Sequence, residues 1–262
     1  MHKTVMIIAG SDSDGAAGLQ GDIKTLAALR LYSTCVVTAV TAQNTQGVQA
    51  VFPVPATFVG AQIEAVVSDI PPDAVKIGML ATAENVEVVA TLIEALSLKN
   101  IVLDPVLRAS TGVALLEEKG IEPLKKTLFP LVTVITPNVE EASRLAGVDV
   151  NETRSMQEAA KILHDFGPKF VIIKGGHLDT SRPLDLLYDG KKHSVYDANR
   201  VASRNTHGLG DAFASVVAAR LAVGERVEVG IDMAKKYIVK AMNHPFAIGK
   251  GEAGPLNHGV PI

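Results

Sequence analysis

Short apolar runs alternate with helix-period segments along the whole sequence, and this alternation restricts the fold more than any other feature. Val5–Ala9, Cys35–Val40, Ala74–Ile77, Ile101–Leu103, Val132–Ile135 and Phe170–Ile173 are the apolar runs. Between them, Leu19, Ile23, Leu26 and Ala27 share one helix face. Val59, Ile63, Val66 and Val67 share another, as do Val86, Val89, Ile93 and Leu96. Continuous apolar runs bounded by polar residues mark strands covered on both faces, which is the habit of parallel sheets. The alternation predicts an α/β fold: three α/β/α layers around a mostly parallel central sheet. Asp189-Gly190, between Leu186–Tyr188 and Lys192–Tyr196, predicts a small antiparallel hairpin. Helices are expected over roughly Asp211–Val223 and Val227–Met242, and a loop over Gly249–Gly259. No repeat or linker interrupts the pattern, so a single domain over residues 1–262 is expected.

Composition excludes several function classes. With 47% hydrophobic and 20% charged residues, the chain carries enough apolar material for a sizeable core and is not a disordered chain. A net charge of -3 gives no reason to expect a nucleic-acid or membrane-surface partner. The run Val5–Ala9 is too short for a secretory core, and no stretch is long enough to span a bilayer. We expect a cytoplasmic protein. Cys35 is the single cysteine, so an intrachain disulfide is excluded; Val36 and Val37 beside it suggest a buried thiol.

In folds of this kind ligands bind beyond the carboxyl ends of the strands. The strand-end loops here are Ser11–Gly18, Thr41–Thr45, Gly78–Leu80, Asp104–Val106, Thr136–Glu141, Lys174–His177 and Asn205–Asp211. In Asn205-Thr206-His207-Gly208-Leu209-Gly210-Asp211, two glycines precede a helical run. Glycine lets backbone N–H groups approach a ligand, and a helix N-terminus adds free donors, so the segment suits a phosphoryl group. Asp211 is either the helix N-cap or a general base that takes a hydroxyl proton. Asn138 and Glu141 form either a capping box or a Mg²⁺ site reached through water. Lys174, before Gly175 and Gly176, faces either phosphates or solvent.

The order of these motifs carries a resemblance. Gly10-Ser11-Asp12, Thr41-Ala42-Gln43-Asn44-Thr45, Lys76-Ile77-Gly78-Met79-Leu80, Asp104-Pro105-Val106, Thr136-Pro137-Asn138, Lys174-Gly175-Gly176-His177 and Asn205-Thr206-His207-Gly208 follow one another. The chain resembles the hydroxymethylpyrimidine/phosphomethylpyrimidine kinases of the ribokinase-like superfamily, from Ile7 to about His258. The resemblance implies ATP and Mg²⁺ as cofactors. It implies phosphorylation of 4-amino-5-hydroxymethyl-2-methylpyrimidine and then of its monophosphate. A homodimer is expected.

By motif match, Asp211, Gly208, Gly210 and Lys174 are implied at the reacting phosphoryl. Gln43 is implied at the pyrimidine edge, where an amide offers both donor and acceptor. Gly10, Ala17, Met79 and Val106 are implied around the ring, and Asp22 near the hydroxymethyl. Asp22 also reads as an exposed charge on an amphipathic helix. Asn138, Thr206 and His207 are implied at the nucleotide, and Glu141 and Asp104 at the metal.

Leu209 and Asp211 stand where that family carries Thr and Cys, and Asp211-Ala212-Phe213 matches sugar and nucleoside kinases of the superfamily instead. Asp14 and Ala16 depart in the first loop. Two alternatives stay open: a kinase for pyridoxal or another alcohol, and a non-catalytic pyrimidine-binding regulator. A dinucleotide-binding dehydrogenase fits poorly, because the loop after Ala9 lacks the glycine spacing.

Overall fold

The computed structural model describes residues 3–176 and 183–261, so His177 lies outside the described residues. Nine strands form one sheet in the order β3-β2-β1-β4-β5-β6-β7-β8-β9. They are β1 (Thr4–Asp12), β2 (Tyr32–Asn44), β3 (Gly47–Pro53), β4 (Ala74–Ile77), β5 (Ile101–Leu103), β6 (Val134–Ile135), β7 (Phe170–Lys174), β8 (Leu184–Tyr188) and β9 (His193–Asp197). Neighbours from β2 to β7 pair in parallel, while β3, β8 and β9 are antiparallel. The expected three-layer fold and the hairpin around Asp189-Gly190 are both present. Antiparallel pairing occurs at both edges, however, because β3 folds back on β2.

The helices are α1 (Gly18–Ala28), α2 (Ala56–Asp69), α3 (Ala83–Ala95), α4 (Ile121–Pro123), α5 (Val139–Ala146), α6 (Thr153–His164), α7 (Leu209–Ala222) and α8 (Val227–Met242). α4 is one turn within an irregular helical stretch, Glu118–Leu131, interrupted by Pro123 and Pro130. That stretch absorbs Leu131, and the strand expected over Val132–Ile135 shrinks to Val134–Ile135.

Strand alternation builds two cores. Met6 and Ile8 of β1 join one core with α2, α3, α5 and α6; Val5, Ile7 and Ala9 join the other with α1, α7 and α8. α7 is buried nearly all round, from Ala212 to Ala219, because α1 and α8 pack on it while it lies on the sheet. Its N-terminus is thereby fixed over the carboxyl ends of the central strands.

Candidate active site

The alternation that builds the cores also selects which polar side chains meet. Val75 and Ile77 point to one core, so Lys76 between them points to the α1 and α7 layer. Asp104 and Lys174 share the face of Val102 and Ile172, two residues upstream, which is again the α7 side. Lys76 of β4, Lys174 of β7 and Asp104, just beyond β5, therefore converge beneath the first turn of α7.

Gly208 precedes that turn with φ 90, and a Cβ there would overlap the carbonyl oxygen of Ala16. Only glycine lets the first loop lie this close. Gly208 occupies the cap position, and no side chain caps the helix. Asp211 lies inside the first turn and is not the cap, which removes the N-cap reading. Lys76 Nζ donates to Asp211 Oδ1 at 2.9 Å. Burial works against the Asp211 charge, but Lys76, with the Gly18 backbone and His207, outweighs it and holds the carboxyl below the ordinary range.

Beside this lies a second charged group. Lys174 Nζ donates to Asp104 Oδ1 at 2.7 Å, and Thr136 Oγ1 donates to the same oxygen at 3.1 Å. A Cβ on Gly210 would stand 3.1 Å from Asp104 Oδ2 and 3.2 Å from Lys174 Nζ, so the glycine turn rests against this pair. Asn138 and Glu141 do form a capping box: Glu141 N–H donates to Asn138 Oδ1 at 2.9 Å, and Asn138 N–H donates to Glu141 Oε2 at 2.8 Å. Burial, and then the charge of Asp104, pushes the Glu141 carboxyl up to about 7. Burial opposes the charge on Lys174, yet Asp104 and Glu141 raise its pKa above the ordinary lysine value.

At the other end, Gln43 closes β2. Its N–H donates to Ser13 Oγ at 2.8 Å, and its side-chain Nε2 lies 2.9 Å from His207 Nε2. Thr41–Asn44, expected as a loop, is strand, because β3 pairs with it. Asp12 folds the first loop by accepting N–H groups of Asp14, Ala16 and Ala17. Its Oδ2 stands 3.5 Å from His207 Nε2, and Asp14 Oδ2 stands 3.8 Å away. Met79 and Val106 meet in a small apolar cluster with Ala39 and Ala81, and a Cβ on Gly10 would stand 2.8 Å from Met79 Sδ. Gly10, Met79 and Val106 thus share one wall, and half-buried Ala17 lies in the adjoining loop.

Asp22 is placed differently from both readings of the sequence, and Thr206 keeps its place in the glycine loop. Asp22 is neither on an exposed helix face nor open to a substrate. It is fully buried, with Lys76 Nζ at 2.7 Å and Ser215 Oγ at 2.6 Å on its two oxygens. Thr206 is exposed, and its N–H turns back to the Arg204 carbonyl.

Lys76, Ser215 and His258 were not singled out from sequence. His258 accepts or donates at Thr25 Oγ1 (2.9 Å) and donates to the Ala16 carbonyl (2.6 Å), clamping the tail onto the first loop. The signal for Lys76 was present: a lysine inside a four-residue apolar strand needs a buried counter-charge.

Comparison with known proteins decides the family. The family profile described as phosphomethylpyrimidine kinase matches residues 12–257. The chain belongs to the phosphomethylpyrimidine kinase family. Within it, the chain is 42% identical over 258 residues to the hydroxymethylpyrimidine/phosphomethylpyrimidine kinase of Synechococcus elongatus, covering 98% of this chain and 97% of that one. It is 43% identical over 255 residues to the thiamine biosynthesis bifunctional protein ThiED of Geobacter sulfurreducens. That match covers 97% of this chain and 52% of the relative, so the chain spans about half of that protein. The family fold also matches a solved ADP complex of Bacillus subtilis pyridoxal kinase, with TM-score 0.90, 36% identity and 98% of each chain covered.

Proposed function

We propose that the protein transfers the terminal phosphoryl group of ATP to the hydroxymethyl oxygen of 4-amino-5-hydroxymethyl-2-methylpyrimidine. The observation that carries this reading is Asp211: a carboxylate held anionic in the first turn of a helix whose free N–H groups face the same space. Such a carboxylate accepts the alcohol proton as the oxygen attacks phosphorus. Gly208, Gly210 and Lys174 receive the charge that spreads over the transferred phosphoryl oxygens. Gln43 reads the aminopyrimidine edge, and Gly10, Ala17, Met79 and Val106 hold the ring. Asn138, Thr206 and His207 lie on the nucleotide side.

A groove of about 460 Å³, lined by Val201, Arg204, Asn205, Met242, Pro245 and Phe246 among others, adjoins the glycine loop and suits the nucleoside end. Asp104 and Glu141 fit Mg²⁺. Both are buried carboxyls, and Glu141 is pushed up to about 7 by burial and by Asp104, as expected where positive charge is short. Bound Mg²⁺ supplies charge neutralisation for the phosphates.

The same reading has one kinase domain acting as a cytoplasmic homodimer. Phe52 and Phe58, 71% and 63% exposed beside the edge strand β3, offer an apolar face to a second copy. Among the described residues no helix is long and apolar enough to cross a membrane.

The test is ADP release with Mg²⁺·ATP and a panel of alcohols: the hydroxymethylpyrimidine, pyridoxal, a nucleoside and a sugar. The pyrimidine is expected to give the highest kcat/KM. A higher value for pyridoxal, or ATP binding without turnover of any alcohol, would overturn the proposal.

A further inference from the structure

Lys76 Nζ sits between two carboxylates from opposite ends of the sequence, 2.7 Å from Asp22 Oδ2 and 2.9 Å from Asp211 Oδ1. Its side chain has 0% exposure, as does that of Asp22, whereas Asp211 keeps 15%. A purely structural lysine on β4 would be satisfied by Asp22 alone, as a neutral buried pair. Asp211 adds a second anion to one cation, an arrangement that burdens the fold and is retained only where the anion is used.

We infer that Lys76 is a positioning residue for phosphoryl transfer, tethering the Asp211 carboxylate at the mouth of the site while Asp22 anchors the lysine from behind. The inference rests on Asp211 as the base. Ser215 Oγ, donating to Asp22 at 2.6 Å, completes the chain. One cation between two carboxyls leaves room for one proton, and the pair titrates as a unit. Surroundings decide where that proton goes. Asp22 is pushed up to about 7, by burial first, while Lys76, helped by the Gly18 backbone and His207, outweighs burial at Asp211 and favours its ionised form. The other charged groups around Asp211 are His207 from the glycine loop, His258 from the tail and Lys174 from β7. Asp104 acts on Lys76 from beyond β5.

The experiment measures kcat and KM against pH for four proteins: wild type, Lys76→Met, the double variant Lys76→Met/Asp22→Asn and Asp211→Asn. The double variant removes the ammonium together with its buried counter-charge, so it keeps the test open if Lys76→Met fails to fold. Without Lys76, burial governs Asp211 and raises its pKa. The acid limb of kcat is then expected to move up by about one pH unit or more, with about tenfold lower turnover per unit on that limb. Turnover recovers at higher pH, and KM for pyrimidine and ATP changes little. A folded double variant whose kcat is lowered equally at every pH, or whose acid limb stays where the wild type has it, would overturn the role of Lys76. Full turnover by Asp211→Asn would instead overturn the base itself.

Discussion

Gln43 Nε2 and His207 Nε2 lie 2.9 Å apart, joining the end of β2 to the loop that opens α7. Two side chains 164 residues apart in sequence thus close one side of the site. An amide can serve either form of the ring: its nitrogen donates to an unprotonated Nε2, and its oxygen accepts from a protonated one. Replacing Gln43 by Leu would remove the one or two hydrogen bonds proposed to the pyrimidine. At about 1 kcal/mol each, KM for the pyrimidine should rise by roughly tenfold, with KM for ATP nearly constant. Steady-state kinetics with each substrate varied in turn checks this.

His207 gives a pH dependence of stability. Burial lowers its pKa, but Asp12, then Asp211 and Asp14, outweigh burial and place it above the ordinary 6.5. The folded state therefore binds the proton more tightly than the unfolded state. This contribution is complete below about 6.5 and is lost as pH rises through the folded value. The urea midpoint of wild type minus that of His207→Asn should be largest at mildly acidic pH and shrink towards alkaline pH. A difference that grows with pH would contradict the assignment.

Gly208 has both a φ of 90 and no room for a Cβ against Ala16. Gly208→Ala should destabilise by about 2 kcal/mol or more and abolish turnover, because the first loop must move off the glycine turn. Thermal melting and ADP release measure the two effects together.

Much of this architecture is legible in the sequence. β4 and β5 match their apolar runs residue for residue, because buried parallel strands show no polar interruption except one that is itself informative. β3 escapes notice: most of its residues are half-buried or exposed, so it shows no alternation. α6 escapes because only Met156, Ala159, Ala160 and Leu163 face the core along a polar helix. Motif order marks Asp211, Lys174 and Gln43, since each stands within a short local motif. The partners of Lys76 are not legible for the opposite reason: they lie 54 and 135 residues away, and only the packing of α1 and α7 brings them together.

Asp211 stands where the resembled family carries a thiol, and this separates the two phosphorylations. In the second step the acceptor is already a phosphate monoester and needs no base. Two unit charges 4 Å apart repel by roughly 4 kcal/mol at an effective dielectric of 20, before screening. The monophosphate should accumulate with wild type, and Asp211→Cys should speed its conversion to the diphosphate. Following both products by chromatography checks this; rapid diphosphate formation unimproved by the cysteine would contradict it.

In the proposed reaction Asp211 takes the proton from the substrate alcohol. The most direct test is first-step turnover of Asp211→Ala beside wild type, with a melting curve for each. Lys76 keeps Asp22 as its partner in the variant, so melting should change little. Turnover should fall by about 10²–10⁴-fold. A folded variant with near-normal turnover would contradict the account.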